Sequence, residues 1–201
     1  MSDNDFIMDL SGMPWPDAHS SLFRAGTPSR SLAWIPQTSR QWTIYAAGYL
    51  EAGRQLYASW KRCGDDCLVF PLVFVFRHYV ELRLKELILS ASSLLDLEPE
   101  WQCKHDLKQA WNRLMPILRK AFPEESNQGA ENAGRLILEF AARDSISMQF
   151  RYPVNNDGKR HLADLERIDV DNFFATMEQL AAFLEGASSA VSAYLSELPR
   201  W

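Results

Sequence analysis

Residues 70–89, FPLVFVFRHYVELRLKELIL, are apolar enough to demand burial, yet they carry Arg77, His78, Glu81 and Lys85. At 3.6 residues per turn, positions 77, 81 and 85 fall on one stripe and 78 lies beside 81. A helix built for the interior accepts such charges only when they are paired, hydrogen-bonded or turned toward a cleft. Two readings follow from this stretch. Arg77 with Glu81, and Glu81 with Lys85, are opposite charges four residues apart, each worth about 0.2–0.5 kcal/mol to the helix without any ligand. Alternatively, ionisable groups gathered on one flank of a buried helix line a functional site.

A chain of 201 residues, 47% of them hydrophobic, suffices for one domain with a proper core. The net charge of −5 argues against a generally basic nucleic-acid-binding surface, so contact with RNA would have to be local. No N-terminal segment joins a basic region to an apolar core, and the run from Leu68 to Phe76 is too short to span a bilayer. A soluble, cytoplasmic protein without membrane contact is the expectation. Three cysteines give no disulfide framework and fit a reducing compartment. Cys63, Cys67, Cys103 and His105 include zinc-ligand types, but their spacing matches no common zinc module, and no metal site is assigned.

Along the chain, residues 1–38 read as an extended arm with Pro14, Pro16, Pro28 and Pro36, punctuated by Trp15, Phe23 and Trp34, aromatics that suit packing along the helical body or a partner subunit. The body is residues 39–201. Ser39 can cap a helix running to about Arg62, with Trp42, Tyr45, Tyr49, Leu56 and Trp60 at helical spacing. The second helix tolerates Pro71 in its first turn and runs to about Leu94. Leu107, Trp111, Leu114 and Leu118 mark a third helix, in which Pro116 is a kink position. A polar loop over 123–130 precedes a fourth helix over about 130–145, which buries Leu136, Ile137 and Phe140. Residues 144–161, DSISMQFRYPVNNDGKRH, have no helical period, and Asn155-Asn156-Asp157-Gly158 is a strong turn signal, so an ordered loop is expected. A last helix, capped by Asp169 or Asp171, extends to about Leu198. The result is an all-α antiparallel bundle of about five helices.

The succession FRHYVELRLKELI, HDLKQAW and DSISMQFRYPVNNDG resembles the HEPN-like superfamily, small helical-bundle proteins common in prokaryotic toxin–antitoxin, abortive-infection and other antiviral defence loci. The resemblance covers about residues 68–185. It implies a bundle that dimerises and, in many relatives, a metal-independent ribonuclease whose composite active site forms between two subunits and needs no cofactor. In such relatives an arginine steadies the scissile phosphate while a histidine assists proton transfer for attack by the RNA's own 2′-hydroxyl. The usual signature is an arginine followed four to six residues later by a histidine. None of the four histidines here stands at that spacing: His78 follows Arg77 directly, and His161 follows Arg160 directly.

A site in this chain must therefore be assembled from separate segments. The candidate catalytic residues are Arg77, His78, Glu81, His105 and Arg151, and the candidate substrate-binding residues are Lys85, Tyr152, Lys159 and Arg160. Arg151 is suited to clamp a phosphate, and His78 or His105 to move a proton. Each has a structural alternative. His105 can simply open a helix beside Asp106, Arg151 can pair with Glu81 to lock the loop on the bundle, and Lys159-Arg160-His161 can be a solvated turn. Three functions stay open: an RNA-cleaving defence effector, a non-catalytic subunit partnering a neighbouring-gene nucleotidyltransferase or nuclease, and a nucleotide or anion sensor. Phosphate-binding glycine loops, Ser/His/Asp arrangements and His-Glu-x-x-His are all missing.

Overall fold

A computed structural model of the chain describes residues 14–23, 32–35, 37–38, 41–123 and 127–197. The chain divides into two units, Met1–Pro36 and Gln37–Trp201. In the first, Asp17 organises a short turn by accepting hydrogen bonds from the His19 amide and the Ser20 hydroxyl.

The second unit is all-α. Five helices follow in order: α1 (Gln41–Cys63), α2 (Val69–Leu94), α3 (Leu107–Ala121), α4 (Asn127–Arg143) and α5 (Val170–Glu197). A 3-10 turn, Asp66–Leu68, joins α1 to α2, with the Asp65 carboxylate accepting from the Cys67 amide. Among the described residues there is no strand, and pairing of β type is limited to one bridge between Val154 and Arg160.

The apolar sequence of α2 has a simple consequence: the helix is the axis of the bundle and packs against α1, α3 and α5. Phe76, Tyr79, Val80, Leu84, Leu87 and Ile88 are all fully buried. Pro71 lies in the first turn, where its missing N–H breaks no intrahelical bond. The core stripe of α1 is Ala46, Leu50 and Gly53, with Trp42, Tyr49, Leu56 and Trp60 flanking it, whereas Tyr45 is exposed. Small residues face α2 because the helices approach closely: a Cβ on Gly53 would sit 2.8 Å from the Phe76 ring.

Helix α3 runs through Pro116 without interruption, and its N-cap is Asp106, which accepts from the Gln109 amide. Helix α4 starts three residues earlier than its sequence suggests, because the Asn127–Gly129 stretch joins it despite its low helical propensity. Asp169 is the residue that caps α5, through the Asn172 amide, while Asp171 instead binds Tyr57 and Lys61 of α1. Ser39 and Leu198, expected at helix ends, lie outside the described residues. No described helix is long and apolar enough to cross a membrane.

Candidate functional site

The charged stripe of α2 closes on itself and on two neighbouring segments. Arg77 has no exposed surface, and its guanidinium is fully occupied: Nη1 donates to Glu81 Oε2 (3.2 Å), Nη2 to the His105 carbonyl (2.7 Å) and Nε to the Asp144 carbonyl (3.0 Å). The Asp144 carboxylate lies 3.6 Å from Nε, beyond hydrogen-bond length, and its Oδ1 accepts from the amides of Met148 and Gln149. One buried arginine thus ties α2 to the start of α3 and to the end of α4. Burial lowers the Arg77 pKa, with Asp144 and Glu81 opposing the shift.

Glu81 is the hub. Its carboxylate receives Arg77, the Lys85 ammonium (Oε1, 2.7 Å) and the His105 Nδ1 (3.1 Å to Oε1). Burial pushes its carboxyl up, but Lys85 and His105 outweigh that effect and hold it below the ordinary glutamate value. Lys85 also donates to the Lys104 carbonyl at 2.7 Å. That bond helps hold Lys104 in the left-handed region, φ 48°, a conformation that costs a non-glycine residue about 1 kcal/mol.

His105 is the exposed end of this chain of bonds. Its side chain is 55% accessible, against 3% for the Glu81 it touches. An ionised carboxylate accepts only, so Nδ1 must carry the hydrogen, and in that neutral tautomer the free lone pair is on Nε2. A buried carboxylate orienting an exposed imidazole is one arrangement that can serve proton transfer.

His78 is half-buried one turn before the hub, edge-on to Tyr49 with ring centroids 4.4 Å apart. Burial lowers its pKa; Glu81 opposes the shift, and Lys85, His105 and Arg77 add to it. Phe74 lies alongside His78 on one side, and the Arg151 guanidinium lies 5.4 Å from the Phe74 ring on the other. Arg151 is exposed, stacks equally on Tyr152 and donates to the Ser147 carbonyl. Ser147 is itself buried and left-handed, φ 62°.

The candidates therefore separate. His78, Arg151 and Tyr152 lie along one line of side chains that runs through Phe74, and His105 is exposed beside Glu81. Arg77, Glu81 and Lys85 present little surface: Arg77 is sealed from any dissolved ligand, Glu81 acts through His105, and the Lys85 side chain is only 12% exposed and turned onto Glu81. All three face inward and tie neighbouring segments together. The loop is locked by Arg77 and Asp144, not by an Arg151–Glu81 pair, because Arg151 is held over the aromatic rings instead. Arg160 opens on a groove beside Arg151, whereas Lys159 closes a tight turn that includes Gly158, φ 75°, its carbonyl accepting from the Asn155 amide and its own amide donating to the Asn155 side chain.

Cys63 and Cys67 are exposed and Cys103 is buried. Among the described residues no group of three or more histidine, cysteine, aspartate or glutamate side chains is placed to hold a metal ion.

A second buried polar cluster occupies the other flank of α2. Arg83, without exposed surface, donates to Glu86 (3.2 Å), Ser188 (3.2 Å) and Glu185 (2.7 Å), and the Tyr79 hydroxyl donates to Glu185 (2.9 Å). Sequence reasoning passed over it, although Arg83 and Glu86 stand in the same apolar run. Burial drives the Tyr79 pKa far upward, which keeps the phenol a donor. This cluster fastens α5 to α2. Comparison with known protein families, curated proteins and solved structures finds no match to the chain.

Proposed function

We propose that this protein is an RNA-directed effector that cuts single-stranded RNA without a metal ion, in the manner of the HEPN-like proteins its sequence resembles. The observation that carries the proposal is the half-exposed His105 imidazole held through Nδ1 by the buried Glu81 carboxylate. In this scheme His105 Nε2 takes the proton from a ribose 2′-hydroxyl, whose oxygen attacks the adjacent phosphorus. Arg151 stabilises the added negative charge on the phosphoryl oxygens, and the 5′-oxygen leaves with a proton drawn from water. The products are a 2′,3′-cyclic phosphate and a 5′-hydroxyl. His78, kept neutral by burial, lines the approach. A dimer placing two such faces together belongs to the same proposal.

The test is incubation of labelled single-stranded RNA with the purified protein in EDTA. Cleavage leaving cyclic phosphate ends, reduced about 10²–10⁴-fold in His105→Ala and comparably in Arg151→Ala, is expected. Absence of cleavage by folded protein overturns it. The inward turn of Arg77, Glu81 and Lys85 favours a second reading, in which the network is purely a scaffold and the protein is a non-catalytic subunit that binds a nucleotidyltransferase or nuclease partner. That reading expects a stable complex and no cleavage.

A further inference from the structure

Beside the histidine face, a groove of about 1000 Å³ runs between the α1–α2 corner and the loop that leads into α5. Trp60 and Phe70 line it from the helical side, and Tyr152, Arg151, Arg160 and Arg167 from the loop. Phe70 and Tyr152 are large side chains left 52% and 45% exposed.

Arginine placement sets this groove apart. Arg54, Arg77, Arg83, Arg113, Arg135 and Arg143 each have a carboxylate partner. Arg62, Arg119, Arg151, Arg160 and Arg167 have none among the described residues; the last three line this groove, beside two carboxylates, Asp66 and Glu166. Three guanidinium groups without ion-pair partners, spread along an apolar trough, suit a ligand with repeated anionic groups and flat apolar faces. Trp60 adds a buried indole N–H that lacks a hydrogen-bond partner. Arg151 joins the groove to the histidine face, because it stacks on Tyr152 at one side and on Phe74, the neighbour of His78, at the other.

We infer that this groove is a channel for single-stranded RNA, with Arg151, Arg160 and Arg167 on successive phosphates and bases stacked on Tyr152 and Phe70. The inference rests on the proposed RNA cleavage and extends it by naming how the strand is held. Asp66 and Glu166, as carboxylates that only accept hydrogen bonds, suit the N3–H of uracil and the exocyclic amines of other bases. Aromatic platforms beside a cationic track are the general means of holding single strands, each stacked base contributing about 1–3 kcal/mol.

The experiment measures binding of a fluorescent oligouridine of about 12 nucleotides, 2′-O-methylated so that it cannot be cut, by anisotropy across a salt series. Arg160→Ala/Arg167→Ala is expected to weaken binding and to lower the slope of log affinity against log salt by about 1.4, two phosphates at about 0.7 each. Tyr152→Ala is expected to weaken binding roughly tenfold, and Lys159→Ala, outside the groove, to leave it unchanged. Circular dichroism checks that each variant is folded. Affinity and slope unchanged in the folded double variant overturn the channel, as does uridine monophosphate or inorganic phosphate binding as tightly as the strand. Groove-dependent binding with no cutting of the unmethylated strand defeats the proposed catalysis and leaves the channel standing. Cutting that persists undiminished in the double variant does the reverse.

Discussion

At Arg77 the distinction between a site residue and a positioning residue becomes a matter of accessibility. All of its bonds are internal, so truncation leaves the Asp144 carboxylate buried without its counter-ion and strips Glu81 of one of its two cations. Arg77→Met is expected to cost about 3–5 kcal/mol, read as a lower urea midpoint. His78 makes a different prediction. Burial lowers its folded pKa below the unfolded value of about 6.5, so its contribution to stability is complete above that value. The contribution is lost as pH falls below about 6.5 toward the folded value, because the unfolded chain takes up the proton first. His78→Phe should remove this part of the pH dependence, seen by comparing urea midpoints at about pH 7.5 and about pH 5.5. Sequence reasoning found Arg77, Glu81 and Lys85 as a group because their spacing is helical. It missed that Asp144, 67 residues away from Arg77, completes the group, since no local pattern reports so distant a partner.

Among the elements, the closeness of α1 to α2 depends on glycine at one point only. Gly48 has open space where a Cβ would go, whereas a Cβ at Gly53 meets the Phe76 ring. Gly48→Ala should stabilise by up to about 1 kcal/mol through helix propensity. Gly53→Ala should destabilise, because overpacking of about 1–3 kcal/mol exceeds the same gain. Thermal denaturation of the pair separates the two effects. The loop between α4 and α5 is held at its start by Asp144, whose side chain accepts the amides of Met148 and Gln149. Asp144→Ala is expected to accelerate amide hydrogen exchange over residues 145–153 while leaving α1 protected. The helices themselves were legible from periodicity, and residue type narrowed the α5 cap to Asp169 or Asp171. The early start of α4 was not, because Gly129 inside a polar stretch reads as a loop.

Across the whole molecule, α2 carries two separate ionic clusters on opposite flanks, one reaching α3 and the loop and the other reaching α5. They share no side chain. Glu81→Gln and Glu185→Gln should therefore be additive in stability within about 0.5 kcal/mol, whereas Arg83→Met with Glu185→Gln should couple by about 0.5–3 kcal/mol. Chemical denaturation of the single and double variants measures both cycles. The separation also explains how an apolar axis tolerates so much charge: each buried ion has its partner on the flank it faces, and those partners come from three different segments.

By itself, the sequence determined that the chain is helical, that α2 lies at its centre, and that residues 77, 81 and 85 share a face, because hydrophobic period and i,i+4 spacing are local properties of the chain. Tertiary structure alone decided which charges are sealed and which are open. Arg77 turned inward and Arg151 outward; Glu81 met His105 across 24 residues, and Arg167 joined Arg151 and Arg160 at one groove. Those outcomes depend on how helices and loop are brought together by burial of apolar surface, a long-range balance that residue spacing does not encode.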